Sequence, residues 1–163
     1  MKKAGSVFAL LLIVAAPAVF GGDSGAASGR FATHTMSTDA TDLPDGGRVE
    51  IAHYYQTTFS DQAGFPLDNT SSDCVGMYVF SKTGAVAAAS GTCFSADPDG
   101  NMTSLWWRYE EGGTASCPNM CGSWGYFDGT GELKGISGGG TFNQTTLFPE
   151  GSTGTWKGSY SIP

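Results

Sequence analysis

Positive charge is scarce in this chain: eight Lys and Arg stand against fifteen Asp and Glu, a formal net charge of −7. A nucleic-acid partner needs a basic face to meet its phosphates, so none is expected. Charge of either sign is low, at 14% of the 163 residues, which argues against a charge-laced helical protein. No segment of ten or more residues carries a 3.6-residue apolar period, so the fold is expected to be built without long helices. The one long apolar run, Val7 to Phe20, is broken by Pro17. A spanning helix needs about 20 uninterrupted apolar residues, so the mature chain is expected to have no membrane span.

That run has another explanation. Met1-Lys2-Lys3 gives a basic start, the apolar core is short, and Ala16-Pro-Ala18 supplies small residues at a cleavage site. These are the parts of a secretory signal peptide. Residues 1–18 are therefore assigned to the signal, and the chain is expected to be exported, periplasmic or extracellular, after cleavage near Ala18. Loss of Lys2 and Lys3 takes the formal charge to −9. No Cys follows the run, so a lipid-anchored cysteine is not supported. In an exporting compartment the four Cys read as two disulfides rather than as metal ligands.

Residues 19–47 are small, polar and turn-rich, and are read as a flexible or weakly structured leader, with only a weak strand signal over Phe31–Met36. The folded domain is placed at 48–163. Arg48 to Phe59 alternates as a strand should, with Val49, Ile51, His53, Tyr55 and Thr57 on one face and Glu50, Ala52, Tyr54 and Gln56 on the other. Further strands are expected over Cys74–Phe80, Ala85–Phe94, Met102–Glu111, Ser123–Asp128, Thr141–Leu147 and Thr155–Ile162. A two-residue Thr83-Gly84 loop would pair 80 with 87 and, continuing, Cys74 with Cys93, close enough for a disulfide. Cys117 and Cys121 are expected to close a small loop of their own. Asp97-Pro-Asp-Gly100 reads as a turn rather than a calcium loop, because Arg108 stands where a bidentate Glu would be needed. Seven or eight short strands at regular spacing indicate a sandwich or a barrel.

The glycine-rich stretch Gly129-Thr-Gly131…Gly135-Ile-Ser-Gly138-Gly-Gly-Thr-Phe142 is expected to form a tight corner feeding a strand. Together with Cys74, Gly91-Thr-Cys93 and Asp97-Pro-Asp-Gly-Asn101, it resembles a group of small exported bacterial proteins similar to the allene oxide cyclase/dirigent-type barrel. The resemblance covers roughly residues 48 to 163. It implies an all-β fold: a single, closed, antiparallel, calycin-like barrel of about eight strands with a central cavity, here disulfide-stabilised. It also implies affinity for apolar, often oxygenated, small molecules. No catalytic set of that family maps onto numbered positions here.

Candidate residues follow from the barrel reading. On the face taken as inward, His53 beside Tyr55 is a weak candidate acid/base, the bland alternative being a hydrogen-bonded core or rim histidine. Glu110, sharing a strand face with Arg108 and Trp106, is a second, against the simpler account of surface charge. Tyr55, Trp106, Trp124, Phe142 and Trp156 are the aromatic candidates for a ligand pocket. A packed aromatic core without a cavity fits the same residues equally well. No cofactor and no metal is expected. The leading expectation is an exported binding protein for a small apolar or amphipathic molecule. The alternatives are a cyclase- or isomerase-type enzyme acting on an apolar oxygenated substrate in the same cavity, and a non-catalytic surface-interaction module. Asn69, Asn101 and Asn143 sit in glycosylation sequons, read as chance matches.

Overall fold

A computed structural model describes residues 23–62, 65, 68–110, 120–148 and 150–163. The expected signal peptide lies outside them. Eight strands follow one another around a closed antiparallel barrel: β1 Ser24–Asp42, β2 Arg48–Ser60, β3 Thr70–Phe80, β4 Val86–Ala96, β5 Met102–Tyr109, β6 Met120–Gly129, β7 Ser137–Phe148 and β8 Gly151–Ser161. A 3-10 turn, Gly131–Leu133, lies between β6 and β7. The all-β closed barrel expected from the sequence is thus the fold.

The leader reading of 19–47 is corrected. From Ser24 to Asp42 this segment is β1, paired with β2 on one side and with β8 on the other. Its small residues hid the alternation, because Ala27, Gly29 and Phe31 point inward while Ser28, Arg30 and Ala32 point out. Four other strands begin earlier than expected, β3 at Thr70, β6 at Met120, β7 at Ser137 and β8 at Gly151, in stretches read as loop or corner, because cross-strand pairing recruits polar and glycine residues that have little strand preference of their own.

Three hairpins use one turn. Leu43–Gly47, Ser81–Ala85 and Asp97–Asn101 each have the first N–H donating to the last carbonyl, and a positive-φ glycine (Gly46, Gly84, Gly100) before the last residue. This three-residue loop replaces the two-residue Thr83-Gly84 loop expected at the second hairpin, and a register shift at Val79/Phe80 absorbs the difference. Beyond that shift the expected register holds: Cys74 lies opposite Cys93 and is bonded to it. At the third hairpin Asp97 Oδ1 accepts from the N–H groups of Asp99 and Asn101, which is the turn reading. Cys121 is also disulfide-bonded, and its expected partner, Cys117, lies outside the described residues.

The glycine-rich corner after β6 closes one end of the barrel. Asp128 Oδ1 accepts from the N–H groups of Gly129 and Gly135, and these two bonds hold its carboxyl below the usual carboxylate range. The corner drives Leu133 and Ile136, each 2% exposed, into the barrel end, where they pack with Ala27, Phe31, Phe65 and Trp156. A second cluster, around Ala52, Tyr54, the Cys74–Cys93 bridge and Trp107, occupies the middle of the barrel beneath β2–β5. Among the described residues, no helix is long and apolar enough to cross a membrane.

Candidate functional site

Large rings inside a narrow barrel need room, and glycines on neighbouring strands supply it. A Cβ on Gly76 or Gly91 would strike the Trp107 indole, and these two glycines lie opposite one another on β3 and β4, with Trp107 opposite Gly91 on β5. Gly122 makes the same space for Phe142, Gly29 for Trp156 and Gly158 for Trp124. The rings then meet edge to face, Trp107 with Phe142 at 6.3 Å and Trp124 with Trp156 at 5.8 Å between centroids. Such pairs contribute about 1 kcal/mol beyond area burial.

The rings do not fill the barrel. A cavity of about 420 Å³ remains, within the range of small-molecule sites. Its closed end is the Leu133/Ile136 plug. Its mouth is at the opposite end, where Glu50, Tyr78, Phe80, Gln144 and Gly151 line it. The lining is mainly apolar, with Trp107, Trp124, Phe142 and Trp156 prominent, and also carries the polar side chains of Thr103, Ser95 and Gln56. Ser72 and Ser95 bond each other at 2.7 Å. Among the described residues, Thr103 Oγ1 and the indole N–H groups of Trp107 and Trp156 are buried without a hydrogen-bond partner, each costing about 1–3 kcal/mol where it stays unsatisfied.

Polar side chains converge at the mouth. Arg48 Nη2 lies 2.7 Å from Glu50 Oε1, and the same guanidinium sits 5.0 Å above the Phe80 ring. Phe80 stacks on Tyr78, which in turn lies against Trp107. The Tyr54 and Tyr78 hydroxyls interact, and the Trp107 N–H approaches Tyr54 without completing a hydrogen bond. Burial, chiefly, with the Glu50 charge adding to it and the bond with Tyr54 opposing it, pushes the Tyr78 phenol up to about 12. Burial, reinforced by Tyr78, raises Tyr54 well above its ordinary 10.

Both phenols are therefore neutral in the folded barrel where they would ionise in the unfolded chain. A raised folded-state pKa gives stability that is complete below the unfolded value and lost as pH climbs through the folded one. Tyr78 alone is expected to withdraw roughly 3 kcal/mol as pH rises from about 10 to above 12. Urea midpoints followed alongside tyrosinate absorbance would measure it. A Tyr78→Phe protein that loses stability as steeply as wild type over that window would overturn the assignment.

The structure sorts the expected site residues. Trp124, Phe142 and Trp156 line the cavity. Tyr55 does not: it is 54% exposed on the outside of β2, and His53, on the same face, is exposed too. The inward face of β2 is the other one, bearing Glu50, Ala52, Tyr54 and Gln56. His53 therefore has no access to the cavity as an acid or base. Trp106 also faces outward, packed over Gly125 and beneath the Arg108 guanidinium at 5.7 Å, and its neighbour Trp107 takes the inward place. Glu110 is a half-exposed surface carboxylate 3.8 Å from Arg108, as the simpler account had it. His34 is exposed on β1.

Tyr54 and Tyr78 were not singled out from the sequence. A signal for them existed in the Cys74–Cys93 bridge. A disulfide joining directly opposed cysteines in a small barrel belongs inside, and Gly76 and Tyr78 share that face with Cys74. The sequence also spells Gly-x-Ser-x-Gly at Gly135–Gly139. A nucleophile elbow needs a strand-to-helix turn, whereas Ser137 opens β7 on the surface and donates to the Ser161 carbonyl.

No family model matches the sequence, and no curated protein matches it. Among solved structures, the chain is similar to the pterocarpan synthase dirigent protein GePTS1, with a TM-score of 0.52 and 12% identity over 94% of this chain and 99% of that one. At that identity the likeness is one of fold. The chain is a closed eight-stranded barrel, similar in fold to that protein.

Proposed function

We propose that the protein is an exported barrel that binds a small apolar or amphipathic molecule inside its cavity. The observation that carries this reading is the space itself: about 420 Å³, walled by aromatic rings, plugged at one end and edged with polar groups at the other. A ligand of that size would bury most of its apolar surface there, at about 25 cal/mol per Å² removed from water. The buried Cys74–Cys93 bridge supports an oxidising destination for the chain.

Ala52 lines the cavity and is 8% exposed, so Ala52→Phe would fill the space from β2. The expected result is at least a tenfold weaker affinity for the neutral fluorescent probe N-phenyl-1-naphthylamine, with the strand signal in circular dichroism retained. Undiminished affinity would place the probe elsewhere and remove the cavity from the account.

A second reading, an enzyme of the cyclase or isomerase kind, is favoured by the convergence of Glu50, Tyr54 and Tyr78 on the cavity. It differs from the first in the fate of the ligand. Mass spectrometry of the recovered ligand separates them: an unchanged molecule supports binding, a rearranged isomer of equal mass supports catalysis. The surface-interaction alternative draws on the outer face of β2 and β3, where Ile51, Tyr55, Val75 and Met77 are exposed.

A further inference from the structure

The cavity has one charged residue among its described lining side chains, and it is a carboxylate. Glu50 stands at the mouth with 21% of its side chain exposed, and aromatic rings continue inward from it through Phe80, Tyr78 and Trp107. An anion entering this cavity would meet a negative charge and negative ring faces. A cation would meet attraction from both.

A second observation shows the mouth already accepting a cation. The Arg48 guanidinium makes two contacts there, one to Glu50 at 2.7 Å and one to the face of Phe80 at 5.0 Å. These are the contacts an ammonium head group would make. Arg48 reaches them from the rim, with 47% of its side chain exposed, so its pairing is of the weak, solvent-screened kind. A ligand whose apolar body fills the cavity could displace it from Glu50. The chain's formal charge of −7 adds a long-range bias in the same direction.

We infer that the ligand class of this cavity is a monocationic amphiphile, an amine or quaternary ammonium on an apolar or aromatic body, with the charged head held by Glu50 and the Phe80 and Tyr78 rings at the mouth. This rests on the cavity-binding reading above and narrows it. Arg48 then occupies the position of the head group and swings out to solvent when ligand arrives.

The test uses three probes of matched shape: 4-phenylbutylamine, 4-phenylbutanol and 4-phenylbutyrate. Binding is measured by calorimetry on the full mature chain at constant ionic strength. The cation should bind about tenfold or more tighter than the alcohol, and the anion weakest. Glu50→Gln should collapse the amine-to-alcohol ratio toward one. Arg48→Met should hold or raise it, because the competing guanidinium is gone. Glu132→Gln, which removes an exposed carboxylate at the opposite end of the barrel, should leave the ratio as in wild type and so controls for net charge. Equal binding of amine and alcohol by wild type overturns this inference while the cavity reading stands. Tightest binding of the butyrate overturns it in favour of Arg48 as the recognition group. A preference that survives Glu50→Gln overturns the assignment to Glu50. If none of the three binds, the cavity reading falls and this inference with it.

Discussion

Gly140→Val is expected to abolish the soluble barrel. A Cβ at Gly140 would run into the carbonyl oxygen of Lys157 and lie 2.5 Å from the Gly158 Cα, both backbone atoms of the paired strand β8. Backbone in the middle of a barrel wall cannot step aside without parting the ladder, and Gly140 also lies opposite Trp124 on β6. The cost is expected to be on the order of 4 kcal/mol or more, comparable with the whole stability of many domains. Gly84→Ala is the contrast. Gly84 has φ +80 and nothing within 4 Å, so its replacement meets only left-handed backbone strain, roughly 1–2 kcal/mol. Thermal melts of the two variants would decide the matter. A Gly140→Val protein that melts within a few degrees of Gly84→Ala would show that close strand approach is not why glycine stands there.

Removing the Cys74–Cys93 bridge should produce the second largest loss. Both cysteines are 1% exposed, and the bridge ties residues 19 apart. Freeing that loop returns about 3 kcal/mol of chain entropy to the unfolded state. For a domain of this size the double Cys74→Ala/Cys93→Ala variant should melt roughly 10 °C lower. Because Cys93 also lines the cavity, probe affinity should change alongside stability. A melting point unaffected by the double substitution, or by reductant on the native chain, would show that the barrel wall holds register without the bridge.

That register was legible before any coordinates, and the reason is local. A two-residue turn puts Cys74 opposite Cys93 by counting; the three-residue turn that forms would by itself put Cys74 opposite Thr92, and the register shift at Val79/Phe80 restores the expected pairing. What failed was the choice of face on β2. Val49, Ile51 and Tyr55 are more apolar together than Glu50, Ala52 and Gln56, and the usual rule puts the apolar face inside. Here the inside is a cavity with a polar mouth, so Glu50 and Gln56 belong to it, while Ile51 and Tyr55 are carried on the outer wall. The same reversal explains Trp106 and Trp107: two equal side chains on opposite faces give no hint of which is buried. A facing glycine does not separate them either, since Gly91 lies opposite Trp107 and Gly125 opposite Trp106. β1 was missed for the converse reason, since alternation among Ala, Gly, Ser and Thr barely registers as hydrophobic contrast.

The barrel is sealed by its first and last strands. Ser24 lies opposite Ser161, and the Ile162 N–H donates to the Asp23 carbonyl at 2.7 Å. Every other seam joins strands adjacent in sequence, so seven hairpin-type pairings can form between neighbours along the chain, but this one waits for β8. Closing so long a loop makes folding slow for the size of the molecule. Until it happens, β1 and β8 each present an unpaired edge able to recruit another chain. A polypeptide of this topology reaches its folded state late and all at once, and is most vulnerable to its own neighbours in the interval before the last strand arrives.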